Sequence, residues 1–216
     1  MNPALIVFDL DGTLVDSRRD IADSANAVLE ECGRSPHSEE AIGEMVGDGA
    51  AMLIARAFEA AHSPMPPDAL DRFLRIYNER LLRFTRPYDG ISELLAALAT
   101  RYAMAVLTNK PLSATHAILE GVHLASYFGE RILGGDGPHP RKPDPSGLLA
   151  IADRASVSAA QTMMVGDSPV DLRTARAAGS RACVARYGFG FRTPMLEALG
   201  AHDVVISHPL ELLNFL

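Results

Sequence analysis

The chain has 216 residues, 48% of them hydrophobic, with a formal net charge of −7 and two cysteines. That length buries one sizeable core and a small second unit, and an acidic balance without a long Lys/Arg run excludes a surface for nucleic acid or anionic membrane. Cys32 and Cys183 stand far apart without metal-ligand spacing, which predicts buried free thiols in a reducing, cytoplasmic setting, and no apolar run approaches membrane-spanning length.

Leu5-Ile6-Val7-Phe8 reads as a strand buried on both faces, and it runs directly into Asp9-Leu10-Asp11-Gly12-Thr13. The next segment changes period. Ser17 is placed to cap a helix whose face is Ile21, Ala25, Val28 and Leu29, ended by Gly33. Ser38 with Glu39 and Glu40 opens a second helix, Gly47-Asp48-Gly49 breaks it, and a third covers 50–61 before Pro64, Pro66 and Pro67. A fourth has Leu70, Phe73, Leu74, Tyr77, Leu81 and Phe84 on one face. No strand is predicted between 15 and 86. From 87 onward, strands alternate with helices: helix 91–99, strand 103–107, helix from Pro111 to about 119, strand 132–133, helix 145–153, strand 162–165, helix 172–178, strands 182–185 and 203–206, and a last helix over 209–215. The expected architecture is α/β, a Rossmann-like parallel sheet core flanked by helices, built from 1–14 and 87–216, with an inserted all-helical cap domain at 15–86.

Three of these strands end in polar residues: Asp9 and Asp11, Thr108 and Asn109, and Asp167 with Asp171. In a parallel sheet the C-terminal ends share one edge, so these residues converge. Carboxylates gathered in a partly dry cleft repel one another unless a divalent cation sits among them, and an all-oxygen, carboxylate-rich set suits Mg²⁺. Lys142, held between Arg141 and Pro143, and the Thr108 hydroxyl add an anion pocket to an acidic protein, suited to a transferring phosphoryl group.

These residues form four motifs in order: Asp9-Leu10-Asp11-Gly12-Thr13, Thr108 after an apolar strand, Lys142 before Pro143, and Gly166-Asp167-Ser168-Pro169-Val170-Asp171. Through them the chain resembles the haloacid dehalogenase superfamily over nearly its full length, and the helical insertion resembles that family's C1-type cap. The resemblance implies Asp9 as nucleophile, Asp11 as general acid and base, and Thr108 and Lys142 on phosphate oxygens, with Asn109 and Gly12 as further substrate contacts. It implies Mg²⁺ held by Asp9, the Asp11 carbonyl and Asp167, with Asp171 either orienting these groups or ligating.

An aspartate at Asp11 sets the chain apart from the dehalogenases and phosphonatases and leaves a phosphatase or a phosphomutase. The contexts of Asp9, of Leu107-Thr108-Asn109-Lys110-Pro111 and of Gly134-Gly135-Asp136 are most similar to the phosphoglycolate phosphatases, and Gly47-Asp48-Gly49 follows their pattern. Sugar phosphates, nucleotides, pyrophosphate and N-acetylmuramate 6-phosphate stay open as substrates of a small-molecule phosphatase, ahead of a phosphomutase and, last, a non-enzymatic phosphoryl-binding protein. Arg56 and Lys110 are expected to be solvated, with a substrate carboxylate as their other use, and Asp136 to pin the lysine loop. The oligomeric state is left open between monomer and homodimer.

Overall fold

The computed structural model describes residues 3–216; Met1 and Asn2, assigned to the core from sequence, lie outside the described residues. β1 (Leu5–Phe8) lies at the centre of a six-stranded parallel sheet, flanked by β4 (Ala103–Leu107) and β6 (Thr162–Gly166). Beyond these, β5 (Ile132–Leu133) closes one edge, and β7 (Arg181–Ala185) and β8 (Val204–Ile206) continue the other, in the order β5-β4-β1-β6-β7-β8.

The continuous apolar run of β1 has a simple cause. Alternate residues face opposite sides of a sheet, and here both sides are covered. Ile6 and Phe8 join Met104, Val106 and Val165 beneath α5 (Ile91–Leu98) and α6 (Leu112–Gly121). Leu5 and Val7 join Ala105, Leu107 and Met164 against α7 (Ser146–Arg154) and α8 (Pro169–Ala178). Every residue of β1 is buried, each worth about 1.5–3 kcal/mol for a large apolar side chain, which favours placing this short strand at the centre of the sheet.

Between β1 and β4 the chain leaves the sheet. α1 (Arg18–Glu31), α2 (Glu39–Met45), α3 (Ala50–Ala60) and α4 (Ala69–Asn78) pack on one another around an apolar cluster of their own that includes Ile21, Leu29, Ile54, Phe58 and Phe73. Contrary to expectation, the helical stretch is bracketed by two strands. β2 (Val15–Asp16) and β3 (Arg86–Pro87) pair antiparallel, Val15 opposite Pro87 and Asp16 opposite Arg86. Two residues are too few to carry a period, and Pro87 cannot donate to the ladder, so only tertiary pairing reveals them. The return is pinned by Asp20, fully buried in the first turn of α1. One of its carboxylate oxygens accepts from the backbone N–H groups of Phe84 and Thr85 and from the Thr85 hydroxyl, each at 2.8 Å.

Three further expectations are corrected. α4 stops at Asn78, short of Phe84, whose ring is instead covered by the Arg19 guanidinium at 3.6 Å. The last helix, Pro209–Phe215, is a 3₁₀ helix. Both cysteines are free, but only Cys183 is buried; Cys32 is half-exposed. Among the described residues no helix is long and apolar enough to cross a membrane.

Candidate active site

Asp9 leaves β1 with its amide donating to the Val165 carbonyl at 2.9 Å, so the strand pairing itself sets where its carboxylate sits. The next residues turn sharply, the Leu10 carbonyl accepting from Leu14 and Val15 at 2.9 and 3.1 Å. Gly12 has φ +85°, and a Cβ there would lie 2.0 Å from an Asp167 carboxylate oxygen, so only glycine allows the β1 and β6 loops to approach so closely. Its amide donates to the Val15 carbonyl at 2.9 Å. Gly12 is therefore engaged in the turn, and its expected substrate contact has no free donor behind it.

Asp9, Asp167 and Asp171 are buried together, with one ligand atom of each within 4.8 Å of the others. Lys142 is the counter-charge, its Nζ 2.8 Å from Asp9 Oδ1 and 2.5 Å from Asp171 Oδ1. Burial alone would lower the Lys142 ammonium, but Asp171 and Asp9 outweigh it and hold it well above the usual lysine value. One ammonium does not neutralise three acids. Burial, then repulsion from Asp171, pushes Asp9 up to about 7 against the pull of Lys142, and Asp167 is raised well above the carboxylate range by burial and by Asp171 and Asp9. A buried, oxygen-only donor set short of positive charge fits a hard divalent cation.

Asp171 has both oxygens engaged. Oδ1 meets Lys142, and Oδ2 accepts from the Ser168 hydroxyl at 2.6 Å and the Ser168 amide at 3.1 Å, the capping box that opens α8. These contacts hold the Lys142 ammonium in place. Lys142→Met is expected to lower stability by about 3–5 kcal/mol at pH 8, because it leaves buried acids without a counter-charge; denaturant unfolding measures it, and added divalent cation recovers part of the loss.

Asp11 faces different partners. Ser17, at the N-cap of α1, makes no cap bond; its hydroxyl donates to Asp11 Oδ1 at 2.5 Å. Lys110 Nζ lies 2.9 Å from Asp11 Oδ2. Lys110 is thus buried and ion-paired, contrary to the solvated reading, and Arg56 is half-buried on Asp48 at 2.5 Å and on the Met45 carbonyl at 3.0 Å. Thr108 is buried on β4's end, its Oγ1 accepting from the Lys110 amide at 3.2 Å, which leaves the hydroxyl hydrogen to donate.

Asn109 Nδ2 donates to the Gly47 carbonyl at 2.8 Å and the Lys142 carbonyl at 2.9 Å, so both its hydrogens brace loops. The remaining Oδ1 is an acceptor, so the Asn109 side chain offers no donor to a phosphate oxygen. Asp136 accepts from the Leu112 amide at 2.9 Å and caps α6; the lysine loop is held by Asn109 and by Arg141, whose Nε donates to the Gly135 carbonyl at 2.7 Å.

A cavity of about 170 Å³ lies above these groups. Asp9, Asp11, Thr108 and Lys110 form its polar side, and Ile21, Leu53, Phe73 and Tyr77 from the inserted helices form the other. Sequence reasoning missed the segment after β7. Gly190 donates its amide to Asp167 Oδ2 at 2.6 Å, and a Cβ on Gly188 would lie 2.1 Å from the Gly12 carbonyl oxygen. The Gly188-Phe189-Gly190 triplet, following an apolar strand, was the available signal.

A parallel sheet with acids and a buried lysine at its C-terminal edge, under a small cavity, defines an α/β hydrolytic enzyme acting on an anionic group. The family model for haloacid dehalogenase-like hydrolases matches residues 6–185, and the chain belongs to that family. It is 43% identical over 212 residues to the phosphoglycolate phosphatase of Rhodospirillum rubrum, covering 93% of this chain and 87% of that protein. It is 39% identical to the phosphoglycolate phosphatase of Pseudomonas syringae pv. tomato, covering 90% and 74%. A crystal structure of a predicted phosphoglycolate phosphatase from Haemophilus somnus superposes with TM-score 0.88 at 30% identity, over 99% of this chain and 98% of that one.

Proposed function

We propose that this hydrolase is a Mg²⁺-dependent phosphomonoesterase that cleaves 2-phosphoglycolate to glycolate and phosphate. The observation that carries the reading is the buried grouping of Asp9, Lys142 and Asp167 beneath a cavity on which Asp11 also opens. Relatives named phosphoglycolate phosphatase support the choice of ester.

Asp9 attacks phosphorus as the bond to the leaving oxygen breaks, giving an aspartyl-phosphate on Asp9. Asp11 donates a proton to the departing alkoxide, then takes one from the water that attacks the phosphoryl group and releases Asp9. Thr108 and Lys142 hold the non-bridging oxygens of the transferring phosphoryl group, Lys142 being the cation that offsets repulsion between Asp9 and the incoming dianion. Asp9, the Asp11 carbonyl and Asp167 would hold Mg²⁺, which when bound neutralises charge on the acids and on the phosphoryl group. Residues 15–86 act as a cap domain that excludes water and selects the ester, with the β2–β3 ribbon as the two-strand connection to the core.

Phosphate release is expected from 2-phosphoglycolate with Mg²⁺ and not with EDTA, at a higher kcat/KM than from glucose 6-phosphate, N-acetylmuramate 6-phosphate, a nucleoside monophosphate or pyrophosphate. Release from none of these esters rejects the reading, and a preference for another ester rejects the substrate.

A further inference from the structure

We infer that Lys110, backed by Tyr77, is the specificity-determining residue that receives a carboxylate on the leaving group, so that the site is built for phosphate esters of small hydroxy acids. The inference deepens the phosphomonoesterase reading and rests on it.

The two buried lysines face different halves of the reaction. Lys142 lies between Asp9 and Asp171, on the side of the group that attacks phosphorus. Lys110 pairs with Asp11, the group proposed to protonate the leaving oxygen, so its charge is held on the leaving-group side. Lys142 has two carboxylates at contact distance; Lys110 has one. An ammonium carries three donors, and a buried one is stable only when they are compensated. Beyond Asp11, Lys110 meets Tyr77, its Nζ 4.5 Å from the ring centroid, with the phenolic oxygen near enough to favour the ammonium but not in hydrogen-bond geometry, so no second carboxylate compensates the charge.

The Tyr77 hydroxyl is an independent sign of the same vacant acceptor. Tyr77 is 3% exposed and lines the cavity, and its oxygen has no hydrogen-bond partner. Lys110 can only donate toward it, so the phenolic hydrogen is left without an acceptor in the protein. A carboxylate supplies acceptors to both groups.

Among the described residues, Lys110 is the only cationic side chain lining the cavity. Arg56 on α3 and Arg141 beside Lys142, the nearby alternatives, are turned to Asp48 and to the Gly135 carbonyl. On the remaining wall Ile21, Leu53 and Phe73 are apolar and Asn78 and Ser113 are neutral, so a negative charge on the leaving group is met by Lys110 alone. About 170 Å³ is also well below the several hundred that sites for larger ligands occupy, which limits the alcohol to a few carbons.

The test compares 2-phosphoglycolate with ethyl phosphate, which has the same two carbons without the carboxylate, in excess Mg²⁺. The wild type is expected to prefer phosphoglycolate in kcat/KM; Lys110→Met should shrink that ratio by about tenfold or more, Tyr77→Phe should shrink it less, and Lys110→Arg should retain most of it. An equal fall for both esters in Lys110→Met would mean that the lysine acts only through Asp11 and would overturn the inference, as would a wild type without preference. Calorimetric titration of both esters into Asp9→Asn, with and without Tyr77→Phe, reads binding without turnover. If no ester is hydrolysed, the phosphomonoesterase reading fails separately, while tighter binding of phosphoglycolate that weakens in Tyr77→Phe still supports the carboxylate subsite, and equal binding overturns it.

Discussion

Asp9→Asn is expected to lower turnover by about four orders of magnitude or more while the metal-free protein unfolds at the same temperature as the wild type or higher. An amide cannot attack phosphorus, and removing the group that bonds to the substrate leaves only the binding and charge-stabilising parts of the site. The stability half follows from the surroundings. Asp9 is 7% exposed, and burial with repulsion from Asp171 pushes it up to about 7, so an uncharged side chain of the same shape suits the site near neutrality. Lys142 keeps Asp171 at 2.5 Å and is not left as an isolated buried charge. Steady-state rates and a thermal melt check the two halves separately. Activity within tenfold of wild type would show that Asp9 is not the nucleophile.

Saturating Mg²⁺ is expected to raise the melting temperature by about 5–10 °C at pH 8, and by much less at pH 5. A ligand at a hundred times its dissociation constant adds about 2.7 kcal/mol, and each kcal/mol moves a chain of this length by about 2–4 °C. The pH dependence comes from the acids. Asp9 and Asp167 are raised in the folded protein, by burial and by neighbouring carboxylates, above the value near 4 that they have in the unfolded chain. Between pH 4 and about 7 the native state therefore binds more protons than the unfolded one, and the metal-free protein loses stability as pH rises through that window. The cation competes with those protons, so its effect is small where they are bound and large where they are gone. Melts with Mg²⁺ and with EDTA at the two pH values test this, and a melting temperature indifferent to millimolar Mg²⁺ at pH 8 would argue against a preformed acid cluster.

Much of the arrangement was legible in local pattern. β1 and the apolar strands 103–107 and 162–165 were readable because a strand buried on both faces has no polar alternation, and parallel pairing then forces their C-terminal residues to one edge. Gly179, with φ +70°, closed α8 where its sequence placed the end, whereas the start, placed at 172, lies at Pro169 behind the Ser168–Asp171 capping box. The β2–β3 ribbon was not readable, since a two-residue strand exists only through its distant partner.

The site divides in the same way. Asp9, Asp11, Thr108 and Asp167 could be singled out from sequence because each follows a strand whose position is set by hydrophobic period, and Lys142 through its place in the order of the four motifs. What each side chain touches was beyond that reading. Asn109 and Gly12 are engaged by Gly47, Lys142 and Val15. Ser17 turns from its helix to Asp11, and Lys110, unremarkable as one lysine in a loop, is buried by Tyr77 and paired with an aspartate 99 positions earlier. The sequence by itself determined the acids and the sheet that gathers them, because strand periodicity and parallel pairing are encoded in runs of a few residues. Only the tertiary structure decided which groups line the cavity opposite the acids, because that wall is assembled from an inserted helical segment and a core loop whose contacts depend on long-range packing and on the pairing of buried charge.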